Sequence, residues 1–297
     1  MQGQLKTVAL LGALTGLLVF IGYALYGGTG AIFGLIMAAV TNLGSWFYSD
    51  KIALSAYRAQ PVSREQAPAL YDMVERLATK ADIPMPGVYL VPGQAANAFA
   101  TGRDPEHAAV AVTEGIVKAL STEELEGVLA HELTHIINRD TLTQAVAATL
   151  GGAIAFLAQM LQYSLFFGGN RDRDGGGANP LALMATIFLA PMAATVIQLG
   201  ISRTREFAAD AGAAKLTGNP RALAQALQRL EASAQRLPMT ANPAFEPLLI
   251  VNALPKQMFR SLFSTHPSTE DRIARLLEIE QTLGLKGGEK GAVSFGA

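Results

Sequence analysis

Four long apolar runs, none carrying a charge, limit what this chain can fold into more than any other feature. They are Thr7 to Tyr26, Ala31 to about Tyr48, Leu142 to Phe167 and Leu181 to Ile201. About 20 apolar helical residues cross a hydrocarbon core of ~30 Å, and backbone in lipid must satisfy its own hydrogen bonds. The runs therefore predict four transmembrane helices, arranged as two hairpins. Gly27-Gly28-Thr29-Gly30 suits a tight turn in the first hairpin. Trp46, Phe47 and Tyr48 end that hairpin with the aromatic residues that favour a membrane interface. A cleaved signal peptide is disfavoured, because the first run is longer than a typical signal core and no small-residue cleavage site follows it. Runs three and four also fit a buried hairpin of a soluble domain, but their length and lack of charge favour the membrane. Pro191 predicts a kink in run four. Composition agrees with embedding: 50% of residues are hydrophobic, 16% are charged, and mean hydropathy is +0.28. Lys and Arg are few and scattered, so nothing points to nucleic acid.

The two hairpins divide the chain. Residues 1–49 form the first, and 142–201 the second. Residues 50–141 and 202–284 read as two parts of one soluble domain, and the glycine-rich stretch 285–297 as a flexible tail. Ala67 to Ala81 predicts an amphipathic helix with Leu70, Met73, Val74 and Leu77 on one face. Three short β-rich stretches follow, around Val88–Val91, Asn97–Ala100 and Ala108–Val112. They predict a small sheet. Asn97 and Ala98 are candidates for an exposed edge to which an extended peptide adds as a strand; an ordinary hairpin inside the sheet fits them equally well. The expected fold is α+β: a mainly helical domain with a small sheet, attached to four membrane helices.

The chemistry centres on His131-Glu132-Leu133-Thr134-His135, an H-E-x-x-H motif. Ser121 and Glu124 have capping-box spacing, and Leu125, Val128, Leu129 and Ile136 continue at helical period. On such a helix His131 and His135 lie one turn apart on one face and can hold one Zn²⁺, with Glu132 beside the metal as general base to the water it activates. The chain has 4 His and no Cys, so a metal must be held by histidine and carboxylate. A catalytic zinc needs a third protein ligand. Glu206, in Ser202-Arg203-Thr204-Arg205-Glu206-Phe207-Ala208-Ala209-Asp210, is the best candidate, although it could simply pair with Arg203 or Arg205. Asp210, one turn on, can accept a hydrogen bond from the outer nitrogen of His131 or His135. His266 precedes a proline and a capped helix start. It either swings over the zinc and donates to the oxyanion of a tetrahedral intermediate, or it is a helix-entry residue without chemistry. His107 reads as a surface residue.

H-E-L-T-H, S-R-T-R-E-F-A-A-D, Asn97 to Gly102 (N-A-F-A-T-G), Ser264 to Arg272 (S-T-H-P-S-T-E-D-R) and the paired apolar runs together resemble the HtpX family. These are bacterial membrane-bound zinc metallopeptidases of heat-shock quality control, related to the CAAX prenyl proteases. The resemblance covers nearly the whole chain, with Phe207 standing where many members carry Tyr. It implies a zincin-type fold, His131, His135 and Glu206 as ligands to one zinc, Glu132 as base, Asn97 and Ala98 on the substrate edge, and a place near the metal for His266. It also implies a peptidase domain on the cytoplasmic side of the inner membrane, with misfolded membrane proteins as substrates. Lys6, Lys51 and Arg58 put the soluble parts on that same side by the positive-inside rule. Partners expected beyond substrate are the bilayer, a second copy of the chain, or other quality-control proteases. The rival readings are a membrane scaffold with a structural zinc site, which requires a fourth protein ligand, and a transporter, which the uncharged spans disfavour.

Overall fold

The computed structural model describes residues 2–151, 154, 203–237, 248–251 and 267–291. The chain opens with helix α1 (Gln2–Phe47), which reverses at Gly27, where φ is +63°. Its two arms run antiparallel at backbone contact. A Cβ on Gly22 would lie 2.1 Å from the Gly30 carbonyl oxygen, and one on Gly34 would lie 2.3 Å from that of Leu18. Only small residues permit such an approach. Asn42 Nδ2 crosses between the arms to Thr15 Oγ1 at 2.9 Å and to the Leu11 carbonyl at 3.3 Å. The glycine-rich link thus makes the hairpin that the sequence predicts.

Among the described residues, one helical stretch, Gly27–Phe47, is long and apolar enough to cross a membrane; Thr7–Phe20 is a shorter apolar helix. Ile32, Phe33, Met37, Val40 and Leu43 point outward and are each more than half exposed. Leu10 and Leu14 of the first arm pack against Leu142, Val146 and Leu150, so the start of the third apolar run lies beside the first hairpin. Nearly all the rest of run three and all of run four lie outside the described residues.

Helix α2 (Ser49–Ala56) leads into a four-stranded sheet of β1 (Gln60–Pro61), β2 (Gly87–Val91), β3 (Ala98–Thr101) and β4 (Ala109–Thr113), in the order β1-β2-β4-β3. β2 and β4 are parallel, and the outer pairs are antiparallel. Both faces are covered, which is why β3 and β4 carry almost unbroken apolar sequence. Val88, Ala98, Ala100, Val110 and Val112 face the main core, with α3 (Pro68–Lys80) and α5 (Thr122–Ile137). Val91, Phe99, Ala109 and Ala111 face Tyr57, Leu54, Leu248 and Leu249. α4 (Glu114–Ala119) joins the sheet to α5. The predicted capping box is present: Ser121 Oγ accepts from the Glu124 N–H, and the Ser121 N–H donates to Glu124 Oε2.

After α5 the helix is interrupted by a turn at residues 138 and 139 and resumes as α6 (residues 140–151). It returns as α7 (Arg203–Thr217), α8 (Pro220–Arg236) and α9 (Thr269–Gly291). α9 runs through part of the stretch expected to be tail.

α5 and α7 meet at a glycine: a Cβ on Gly212 would lie 2.3 Å from Thr134 Cγ2. Thr134 is buried, and its hydroxyl donates to the Ala130 carbonyl, so it has little room to yield. Gly212→Val is expected to cost about 1–3 kcal/mol through overpacking, read as a lower melting temperature of the detergent-solubilised protein.

Candidate metal centre

α5 presents its two histidines to α7. His131 Nε2 and His135 Nε2 are 3.2 Å apart. Glu206 places Oε1 3.5 Å from His135 Nε2 and Oε2 3.7 Å from His131 Nε2. All three residues are buried, and one ligand atom from each falls within a 4.8 Å group. Ligands held tetrahedrally at about 2.0–2.1 Å from zinc are separated by about 3.3 Å, close to these spacings. The donor set therefore fits a metal ion. Glu206 faces the histidines, as one of its two sequence readings requires.

The outer nitrogens of both histidines are held by aspartates. His131 Nδ1 lies 2.9 Å from Asp210 Oδ1, as expected for Asp210. His135 Nδ1 lies 3.3 Å from Asp140 Oδ2. These bonds fix the tautomers so that both Nε2 lone pairs face the centre. Asp210 in turn takes a two-pronged contact from Arg272, Nε at 2.9 Å and Nη2 at 2.7 Å. Arg272 Nη1 donates to the Ile250 carbonyl at 2.9 Å.

The electrostatics follow from this packing. Burial disfavours the charged form of His131, but its hydrogen bonds to Asp210 and Glu206 outweigh burial and raise its pKa from 6.5 to about 9. Burial works to raise Asp210, yet the Arg272 guanidinium and His131 hold it below the ordinary aspartate value. Burial raises Glu132 above the ordinary glutamate value, against the opposing pull of His131 and His135. The nest of carboxylates thus calls for a cation at its centre, either a proton or a metal.

Glu132 stands beside the histidines, buried, and accepts a hydrogen bond from the Ala100 N–H. β3 is an edge strand, as one reading of Asn97 and Ala98 requires, but the edge is not open there. Both residues are buried. The Ala98 carbonyl accepts from the Ile250 N–H at 3.1 Å, and Asn97 Nδ2 donates to the Val251 carbonyl at 3.2 Å. The physical reason is strand alternation. Asn97 bonds inward to Thr113, which turns the Ala98 carbonyl outward, where a buried acceptor needs a donor. His266 lies outside the described residues. The helix it precedes is capped as expected, with Ser268 Oγ accepting from the Asp271 N–H.

Sequence reasoning passed over Arg272 and Asp140. Arg272 was legible in part: it sits four residues before Leu276 on an apolar helix face, so its side chain had to point inward. Asp140 gave no such signal, because position i+5 on an unbroken helix faces away from i.

A buried histidine–glutamate cluster on H-E-x-x-H, backed by a sheet edge, defines the class of metal-dependent peptidases. The profile of peptidase family M48 matches residues 64–280, and the chain belongs to that family. A curated relative named Protease HtpX homolog, from Nostoc punctiforme, is 67% identical over 287 residues, covering 96% of this chain and 99% of its own. Its namesake from Sulfurihydrogenibium is 50% identical over 293 residues, covering 95% and 98%. The crystal structure of S. mikatae Ste24p is similar in fold, with a TM-score of 0.52 at 19% identity. That match covers 92% of this chain and 65% of the Ste24p chain.

Two outcomes follow from the site. Arg272→Met leaves Asp210 buried without its cation and is expected to cost about 3–5 kcal/mol, read by thermal unfolding in detergent. The second concerns pH. A metal must displace the His131 proton, which the metal-free protein holds up to about pH 9. Affinity for a divalent metal is therefore expected to rise about tenfold per unit between about pH 7 and 9 and then level off, as measured by competition titration.

Proposed function

We propose that this chain is an integral-membrane, zinc-dependent endopeptidase of protein quality control, acting on misfolded or damaged membrane proteins. The observation that carries the reading is the buried His131–His135–Glu206 group with Glu132 beside it. The apolar hairpin at Gly27 supports the membrane setting, and the names of the curated relatives support the protease. In this reading the chain crosses the inner membrane four times, with the site on the cytoplasmic side, as the distribution of Lys and Arg favours.

When bound by His131, His135 and Glu206, zinc supplies a Lewis acid and lowers the pKa of water to around 7. The remaining work belongs to the chain's own residues. Glu132, raised by burial and held by the Ala100 N–H, takes the proton of the attacking water and passes it to the leaving amine. Asp210 and Arg272 keep the His131 ring in register. His266 donates to the developing oxyanion. The outward backbone of β3 at Ala98, beside Asn97, binds substrate as an added strand, which requires residues 250 and 251 to give up their contacts there. Binding through backbone gives loose sequence preference. A scaffold with a structural zinc needs a fourth protein ligand; among the described residues three converge.

The test is cleavage of unfolded casein by the detergent-solubilised protein, compared with Glu132→Ala, each with and without chelator and each assayed for zinc. Wild type is expected to cleave only without chelator. The variant is expected to retain zinc and to lose about 10²-fold or more in rate. Wild-type turnover by Glu132→Ala would sink the proposal.

A further inference from the structure

We propose that Asp140 and Arg205 form a positioning relay for His135, which ties the metal centre to both ends of the segment 141–204. The inference rests on the metal-binding reading above and goes beyond its ligand set.

The site contains two chains of the same composition. His131 is held by Asp210, which is held by Arg272. His135 is held by Asp140, and Arg205 Nη1 lies 3.6 Å from the other Asp140 oxygen. His135 and Asp140 are both buried, and Arg205 is largely so. A carboxylate in such a place needs a cation or donors. Asp140 has the His135 ring on one oxygen and the Arg205 guanidinium on the other.

Backbone geometry supports a built contact. On an unbroken helix a residue five positions after His135 would point about 140° away from it. The chain instead stops at Asn138, passes through Arg139 with φ +57°, and restarts at residue 140. A non-glycine residue in the left-handed region is uncommon, and this one turns Asp140 back under His135. α5 is broken at the place that lets the aspartate return.

Arg205 adds a second link. It immediately precedes Glu206, the carboxylate of the metal cluster, in the first turn of α7. The Asp140–Arg205 pair therefore joins the element carrying His135 to the element carrying Glu206. It does so where the chain leaves the soluble domain after α5 and where it returns. Asp140 accepts the Nδ1 proton of His135 and leaves the Nε2 lone pair facing Glu206. Arg205 holds Asp140 in place.

The experiment uses the full chain in detergent, stripped of metal. Zinc affinity is measured by competition with a chromophoric chelator, and the visible absorption of the cobalt(II)-loaded protein reports ligand geometry. The variants are Asp140→Asn, Arg205→Met and Arg205→Lys, with Asp72→Asn, on the exposed face of α3, as a surface control. Asp140→Asn preserves shape, so it remains informative where a truncation would not fold. Asp140→Asn is expected to lose about 10- to 100-fold in zinc affinity and to shift the cobalt bands. Arg205→Met is expected to lose less, and Arg205→Lys to recover part of that loss. Wild-type affinity and an unchanged cobalt spectrum in both Asp140→Asn and Arg205→Met would overturn the relay alone, as would a lower melting temperature with affinity intact. Failure of the wild type to bind zinc would overturn the metal reading, and the relay with it.

Discussion

Four buried carboxylates gather around two histidines, and the part of the molecule built on the sheet, α5, α7 and α9 depends on neutralising them. Glu132, Asp140, Glu206 and Asp210 are all nearly inaccessible to solvent. Burying even one carboxylate costs several kcal/mol unless it is paired and hydrogen-bonded. Here the partners are His131, His135, Arg205, Arg272 and the Ala100 N–H, and they come from α5, α7, α9 and β3. The centre accordingly fixes how those elements sit. The carboxylates around His131 also raise its pKa: the site is built for positive charge.

Close approach of the helices is the second requirement. Glu206 reaches the histidines because Gly212 lets α7 lie against Thr134 of α5. Gly127 does the same on the α8 side, where a Cβ would come within 3.1–3.2 Å of Leu223. The sheet completes the enclosure. β3 lies along α5, and the short segment Leu248–Val251 fills the far side of the edge at Ala98. The same segment receives Arg272, so the edge strand and the second sphere of the metal site share one piece of backbone.

Much of this was legible in the sequence. The capping box at Ser121, the face of α3, the three longer strands and the glycine turn of the first hairpin all rest on local pattern, and local pattern is what short-range sterics and hydrogen bonding control. The H-E-x-x-H spacing places two imidazoles on one face through helix geometry alone. The pattern was less informative where partners come from far along the chain. Asn97 and Ala98 fit an exposed edge and a hairpin inside the sheet equally well, and neither reading contains the contacts that residues 250 and 251 make from more than 150 positions away. Arg272 sits on an apolar helix face, but nothing in its local sequence names Asp210 as its partner.

The sequence by itself determined α3, α5, the three longer strands, the uncharged apolar runs and the identity of the metal-type donors, since each depends on residues within a few turns of one another. Only the tertiary structure decided which carboxylate serves which histidine. Asp210 went to His131 because α7 packs across α5, and Asp140 went to His135 because the chain breaks at Arg139. Both outcomes depend on where helices stop and how closely they approach. Those are set by packing and buried charge summed over the whole domain, which no local stretch of sequence contains.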